Sequence, residues 1–465
     1  MKQSTRVVLL ATFATAGAWA QEFSGFSTTM LQYGKQDVPG FASQVAAPGT
    51  EFLGLDATRL GSDALSLHVF GWGAADLGDQ TLPYGKSAGD VSYAYLDYRF
   101  SRANAELKAG RFAVNQGAAI EQVDGVSART DLRGGFNLSA FVGAPVHYKS
   151  QDTPVPTAYA YKNQTDLIFG SRLGLRMGTV GEVGVSYLQD GTTTVKSIAD
   201  APPVDYTRKQ VGYDLRVVPF SRLVVSGHTL MSVNAFYQAP GSTDSSPSRI
   251  ADEDYTATYR ISPLATLSAN YTERNFEAYF AGTNLPNLFQ DDTRDKLKAR
   301  AASLTLGPAD ALQVTLDVRQ THRETYGVAT RWGGDLRWAV PDSKYKAGGG
   351  IHKVDAADKL FYTSARPTLY GLSREEYRAW VMYAGGRCSA SLDAIHYHFS
   401  DSSNPNLYGK SAISQVVGSV GLHPAANLDL SADLTYGADA YYKNQLSILL
   451  RSTYRFSVAS KGGSK

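Results

Sequence analysis

The chain is nearly devoid of cysteine: its 465 residues include a single one, Cys388. One cysteine cannot form an internal disulfide, and it cannot supply a multi-cysteine zinc or iron–sulfur site. No Cys-x-x-Cys-His segment occurs, so the chain attaches no covalent haem of its own. We therefore expect no resident cofactor. An exported chain of this length without disulfides needs another stabilising arrangement, and a closed sheet is one.

Long apolar runs and an excess of one charge are also missing. After residue 20 no stretch approaches eighteen consecutive apolar residues, which excludes membrane-spanning helices. The formal net charge is only +2, so there is no electrostatic case for a nucleic-acid partner. Since only helices and closed barrels satisfy every backbone group inside a bilayer, a membrane protein with this sequence must be a β-barrel.

The first twenty residues have the pattern of a secretory signal. A basic start at 1–6 is followed by an apolar run at 7–19 and the small-residue triplet Ala18-Trp19-Ala20. A buried N-terminal helix is the alternative, but the triplet stands where cleavage requires it. We predict a signal peptide at 1–20, a barrel at 21–456 in the outer membrane, and a C-terminal tail at 457–465.

Strand signals with a period of two recur along the rest of the chain. In 94–100 the even positions are apolar or aromatic, whereas the odd positions include Asp97 and Arg99. Segments 312–319 and 428–434 alternate in the same way, and about ten residues is the length that a tilted strand needs to cross a membrane. A soluble β-sandwich also alternates. The mixed charged, hydroxyl and glycine face favours a water-facing lumen, and aromatic residues at strand ends favour interfacial girdles.

The connections between these segments alternate between two lengths. Short turns such as Gly61-Ser62-Asp63 and Pro424-Ala425-Ala426 are separated by longer polar links such as 147–163 and 276–294. Roughly ten short turns and eleven long links imply about 22 strands, and 20 fits nearly as well. The predicted fold is all-β: a transmembrane antiparallel up-and-down barrel of about 20–22 strands, with short periplasmic turns and long extracellular loops.

Catalytic and metal-binding constellations do not stand out. The Gly-Lys-Ser fragments at 85–87 and 409–411 lack the upstream glycine of a phosphate loop, and no G-x-S-x-G elbow occurs. His396 and His398 share a strand face but have no evident third ligand, so an interfacial position is favoured over a metal site. The acidic cluster 252–254 is also explained as charge on an outer loop, which needs no bound cation. We predict neither an enzyme nor a metal site.

The width of such a barrel raises the question of what fills it. Barrels of about 22 strands carry a plug in known transporters. Here strand signals begin at Phe23, which leaves no room for a plug domain ahead of the first strand. A wide unplugged barrel would leak, which suggests that another protein fills the lumen.

Five short segments carry a resemblance to a known family. Residues 108–112, 121–126, 129–131, 134–136 and 141–146 resemble the barrel subunits of porin–cytochrome conduits of metal-reducing bacteria. The resemblance implies a large barrel that sheathes a periplasm-facing multihaem cytochrome. That cytochrome passes electrons across the outer membrane to an outer cytochrome.

Two functions follow as competing hypotheses. In the first, the barrel is surrounded by outer-membrane lipid and holds a multihaem cytochrome against a lumen wall of mixed charge. In the second, it is a general or substrate-selective porin in which Phe70, Trp72, Tyr93 and Tyr95 form an aromatic track. A diffusive porin usually concentrates one sign of charge at a constriction. The predicted lumen-facing, partner-contacting residues are Asp97, Arg99, Arg172, Arg176, Asp214, Arg216, Asp317, Arg319, Asp429 and Asp433.

Overall fold

The structure is a computed structural model that describes most of the chain after residue 19. The described residues are 20–36, 44–78, 87–117, 119–146, 167–190, 194–195, 204–205, 208–233, 249–275, 296–308, 310–323, 327–340, 343–357, 372–402, 407, 409–438 and 445–459. The expected signal peptide lies outside them up to residue 19, so it stays a prediction.

Antiparallel β-strands make up nearly all of the described residues. The strands are β1 (Ala20–Gln36), β2 (Gln44–Ala46), β3 (Pro48–Leu60), β4 (Leu65–Asp76), β5 (Ser87–Phe100), β6 (Ala105–Gln116), β7 (Ala119–Asp131), β8 (Phe136–Pro145), β9 (Ile168–Arg176), β10 (Gly181–Asp190), β11 (Thr194–Val195), β12 (Val204–Asp205), β13 (Arg208–Phe220), β14 (Leu223–Ser232), β15 (Arg249–Ser262), β16 (Ala265–Arg274), β17 (Leu297–Leu306), β18 (Leu312–Arg323), β19 (Gly327–Ala339), β20 (Tyr345–Ala356), β21 (Arg374–Ala384), β22 (Cys388–Phe399), β23 (Ala412–Ala425), β24 (Leu428–Ala438) and β25 (Gln445–Ala459). A 3-10 turn, Arg133–Gly135, joins β7 to β8.

The sheet closes on itself. β1 pairs with β3 on one side and with β25 on the other, and every remaining wall strand pairs with its neighbours along the chain. β2 pairs with the far end of β1, while β11 and β12 form a separate ribbon. The wall is therefore a closed 22-strand antiparallel barrel, which confirms the predicted fold class at the upper end of the expected strand number.

Short turns lie at the edge of the barrel where β1 begins and β25 ends. Ten connections there are short, as between β13 and β14 or between β23 and β24. Gly307 opens the β17–β18 turn with φ of 96°, a conformation in which a Cβ would collide with the Leu312 carbonyl. The links predicted to be long fall at the opposite edge, and most of their residues lie outside the described ones. Among the described residues no helix is long and apolar enough to cross a membrane.

The outer face of the wall is apolar. Leu173, Leu316 and Leu392 are about half exposed, although each lies in the middle of a strand. Exposed aliphatic side chains on so many adjacent strands form a continuous band, which is stable against acyl chains rather than water. At the short-turn edge, aromatic pairs border this band and fit an interfacial girdle. These pairs are Tyr98–Phe100, Phe220–Tyr259, Tyr345–Tyr383 and Tyr454–Phe456.

The lumen face is not uniformly polar. Toward the long-loop edge a cluster of apolar side chains, each at most 4% exposed, packs on the lumen side of β6–β10. A smaller cluster near the same edge joins Phe399 of β22 and Ile413 of β23 to Leu372, which precedes β21, and Leu407, which lies between β22 and β23. Apolar burial of this kind gives a barrel some of the core that a globular domain would have. The first cluster consists of Phe112, Val114, Val123, Phe141, Ile168 and Leu188.

The last strand continues beyond residue 456, where the barrel was predicted to end. Pairing between β1 and β25 continues past Phe456, through Phe23 with Val458 and Glu22 with Ala459. The first three residues of the expected tail, 457–459, are thus paired as strand, and 460–465 lie outside the described residues.

The assignment of the two faces predicts opposite effects of one substitution at neighbouring positions. Leu434→Arg places a charge among acyl chains, and we expect it to destabilise the barrel by about 2–4 kcal/mol. The matched Thr435→Arg, on the lumen face of the same strand, should cost less than about 1 kcal/mol. Urea unfolding in phospholipid vesicles measures both. Equal costs would contradict the face assignment.

Candidate functional site in the barrel lumen

All ten predicted lumen residues lie on the face opposite to the apolar band. Asp97 is flanked by the exposed Leu96 and Tyr98, and Asp317 by the exposed Leu316 and Val318. Because side chains alternate between the two faces of a strand, the charged member of each triplet points into the barrel. Their contact with a partner stays a prediction.

One largely buried charged group of the wall is centred on Arg172. Its guanidinium donates to both carboxylate oxygens of Asp214, at 2.9 and 2.6 Å, and to Glu182 at 3.0 Å. Its remaining nitrogen donates to the Asn137 side-chain oxygen at 2.9 Å. The Arg172 side chain is only 13% exposed. The structure therefore brings Arg172 and Asp214 together across β10, which lies between their strands, in a bidentate pair that fixes both side chains.

The neighbouring predicted cations are held less firmly. Arg176 approaches Glu182 at 3.6 Å and is about half exposed. Arg216 is also exposed on the lumen face, opposite Glu182 in the strand register. The sequence did not single out Glu182 or Asn137, because neither has a charged neighbour two residues away on its own strand. Only the register of β8–β13 reveals them.

A second charged group surrounds Asp317. Asp317 and Arg319 are two positions apart in the sequence, but the structure pairs Asp317 with Arg331 on β19, at 3.0 Å. Arg331 also donates to Glu376 at 2.8 Å. His352 reaches the other oxygen of Asp317 at 2.8 Å. Arg319 lies exposed on the lumen face opposite Arg331 in the register, so the two cations do not share the Asp317 carboxylate.

The third group lies on β23–β25. Asp429 contacts both His423, at 2.5 Å, and Arg455. Asp433 accepts from Ser419 and lies 3.8 Å from Arg451. Each predicted carboxylate here therefore has a cation or a hydroxyl group on the neighbouring strands.

Asp97 lies in a fourth group near the short-turn edge and is 8% exposed. In the strand register it faces Lys108, which pairs with Glu106 at 2.8 Å and lies 5.5 Å from the centroid of the Tyr95 ring. Arg99, two residues further along, is exposed. Around the described wall, positive and negative groups thus alternate in local pairs rather than forming a ring of one sign.

Aromatic side chains form a patch on the lumen side of β1–β5. Phe70 lies 5.9 Å from Phe26, 6.2 Å from Phe52 and 5.4 Å from Tyr93, measured between ring centroids. Tyr95 continues the patch at 5.8 Å from Tyr93. We call these five residues the aromatic patch. Three of the four residues predicted to form an aromatic track are in contact within this patch: Phe70, Tyr93 and Tyr95.

Glycine makes the patch possible. Gly54 lies between Phe26 and Phe70 in the strand register, and a Cβ on it would collide with the Phe26 ring. The absence of a side chain on β3 lets the Phe26 ring lie across that strand toward Phe70.

Comparison with known proteins identifies the architecture. A siderophore receptor, PirA of Pseudomonas aeruginosa, is similar with a TM-score of 0.53 at 10% identity, covering 93% of this chain and 80% of that one. A ferric enterobactin receptor of the same organism has the same TM-score and identity, covering 94% and 80%. The chain is an outer-membrane-type β-barrel.

Other comparisons add no finer assignment. OccK11 of Pseudomonas aeruginosa aligns over 94% of this chain and 96% of its own, with 11% identity and a TM-score of 0.41. No family model and no curated protein matches the chain. At these identities the solved structures establish the fold alone.

The two arginines on β9 should differ in their contribution to stability. Arg172→Ala leaves the Asp214 and Glu182 carboxylates without their shared cation, and we expect a loss of about 1–3 kcal/mol. Arg176→Ala removes a longer, half-exposed contact and should cost less than about 1 kcal/mol. Urea unfolding in vesicles compares the two variants. An Arg176 effect as large as that of Arg172 would show that the Arg172 group does not stabilise the wall.

Proposed function

We propose that this barrel sheathes a multihaem cytochrome and thereby supports electron transfer across the outer membrane. The observation that carries the proposal is a closed wall of 22 strands whose lumen charges are arranged in mixed-sign pairs around the circumference. The wall itself does no redox chemistry in this proposal. Its role is to hold the haem chain in place and to keep lipid and solvent away from it.

Barrel width is the first support. Barrels of 16–18 strands already leave an aqueous channel, and a 22-strand wall encloses a wider one. The described strands, apart from β2 and the β11–β12 ribbon, belong to that wall. The described part of the chain therefore leaves most of the lumen to another occupant.

The charge pattern is the second support. A channel that selects small ions places one sign of charge at its narrowest point. Here the carboxylates of Asp214, Asp317 and Asp429 each have a cationic partner on another strand. The exposed Arg216 and Arg319 remain available on the same face. A lumen wall with fixed ion pairs and a few exposed arginines is suited to contact a folded protein whose surface carries complementary charge.

Co-purification tests the proposal directly. The barrel, tagged and purified in detergent from cells that express its native neighbours, should carry c-type haem absorbance in a fixed ratio to protein. Arg216→Glu combined with Arg319→Glu should lower that ratio by about half or more, since both charges face the expected partner. Arg222→Glu, in the β13–β14 turn, is the matched charge reversal away from the lumen wall. A stable, colourless barrel with free ionic conductance in a planar bilayer would overturn the proposal.

The aromatic patch favours a second candidate, a solute-selective porin. Ring faces stack against the apolar faces of sugars, while the adjacent His68 and Asp56, which contact each other at 2.5 Å, can bind hydroxyl groups. In this function an oligosaccharide would move along the wall by exchanging one ring contact for the next.

Single-channel recordings decide whether the patch binds sugars. If the porin hypothesis holds, a linear oligosaccharide blocks the current, and Phe70→Ala with Tyr93→Ala raises the half-blocking concentration by about tenfold. Phe100→Ala, on the outer face, is the matched control and should leave the block unchanged. Conductance with no sugar block, or the same block in both variants, would rule this candidate out.

A further inference from the structure

Three potential metal ligands converge in the lumen on three adjacent strands. Asp317 lies on β18, Asp335 on β19 and His352 on β20. The His352 Nε2 atom is 2.8 Å from Asp317 Oδ1 and 3.6 Å from Asp335 Oδ2. One ligand atom from each residue lies within 4.8 Å of the other two, and no other group in the described part of the chain meets this criterion.

These separations are close to those of a ligand set around one ion. Metal–ligand bonds of about 2.0–2.2 Å place ligand atoms about 3.3–3.6 Å apart in a tetrahedral site. A hydrogen bond explains only one of the two histidine contacts, because 3.6 Å is too long for a hydrogen bond to Asp335. His352 is nonetheless 4% exposed, so its Nε2 is held between two carboxylates within the wall.

Two glycines create the space in which the ligands meet. In the strand register Gly333 lies between Asp317 and His352, and a Cβ on it would collide with the imidazole ring. Gly350 lies opposite Asp335, and a Cβ there would collide with the Asp335 carboxylate. With any other residue at these positions the three ligand groups would be pushed apart.

Neighbouring side chains hold the first carboxylate in place. Arg331 donates to Asp317 Oδ2 and leaves Oδ1 directed at His352. Arg331 is in turn fixed by Glu376, which pairs with Arg374 at 2.8 Å. Hydrogen bonds of this kind orient ligands in known metal sites. Asp335 is about half exposed, so the site opens toward the lumen and an ion can enter from there.

We propose that Asp317, Asp335 and His352 bind one divalent transition-metal ion on the lumen wall. An imidazole together with two carboxylates suits Zn²⁺ or Co²⁺ better than Ca²⁺ or Mg²⁺, which prefer all-oxygen sites. Each ligand comes from a different strand, so no spacing along the sequence reveals the set. The proposal is independent of whether the lumen holds a cytochrome or conducts a solute.

Cobalt titration tests the site without reference to transport. The chelator-treated barrel in detergent should bind one Co²⁺ per chain, seen as d–d absorption in the visible range, and Zn²⁺ but not excess Mg²⁺ should displace it. His352→Ala and the isosteric Asp335→Asn should each weaken binding by at least about tenfold.

His228→Ala is the matched control. His228 makes the same kind of lumen contact, 2.9 Å to Asp252, but belongs to no three-ligand group among the described residues. The His228→Ala variant should bind Co²⁺ like the unmodified barrel. Heat-dependent gel mobility should show that every variant is a folded barrel. Absence of stoichiometric binding, or equal binding in the folded His352→Ala, Asp335→Asn and His228→Ala variants, would overturn the proposal.

Discussion

Backbone hydrogen bonding inside a bilayer is the constraint on which this structure depends. An unpaired strand edge in hydrocarbon would leave each N–H and C=O without a partner, at a cost of several kcal/mol per group. The pairing of β1 with β25, from Glu22 with Ala459 to Gln36 with Gln445, removes that edge. All other features, including the lumen and its charges, exist only because the first and last strands meet.

Closure gives every strand two environments, and this made much of the fold predictable. Polar and apolar side chains must alternate where one face meets acyl chains and the other meets water. The alternation in 94–100, 312–319 and 428–434 therefore identified both the strands and the lumen face of Asp97, Asp317 and Asp429. Turn residues and long polar links supplied the strand number. The alternation is weaker where the lumen side is apolar, as at Phe112 and Phe141, because burial within the protein then replaces contact with water.

Pairing between charged residues was not predictable, because it depends on register across strands rather than on distance along the chain. Arg172 and Asp214 are 42 positions apart, yet they form a bidentate pair. Asp317 and Arg319 are two positions apart, yet Asp317 binds Arg331 instead. A shift of one residue in any strand pairing would turn these groups to the other face, so the ion pairs and the closed register must form together.

Glycine residues, which have no side chain, determine the chemistry of this wall as much as the polar residues do. The Arg172 guanidinium lies over Gly174 and Gly184, where a Cβ would collide with it. In the same way Gly54 admits an aromatic ring. In a flat sheet each residue meets only its direct neighbours, but a glycine lets groups on alternate strands touch across it. A barrel can thus assemble a site from residues with no sequence motif, and the positions of its inward-facing glycines indicate where to look for one.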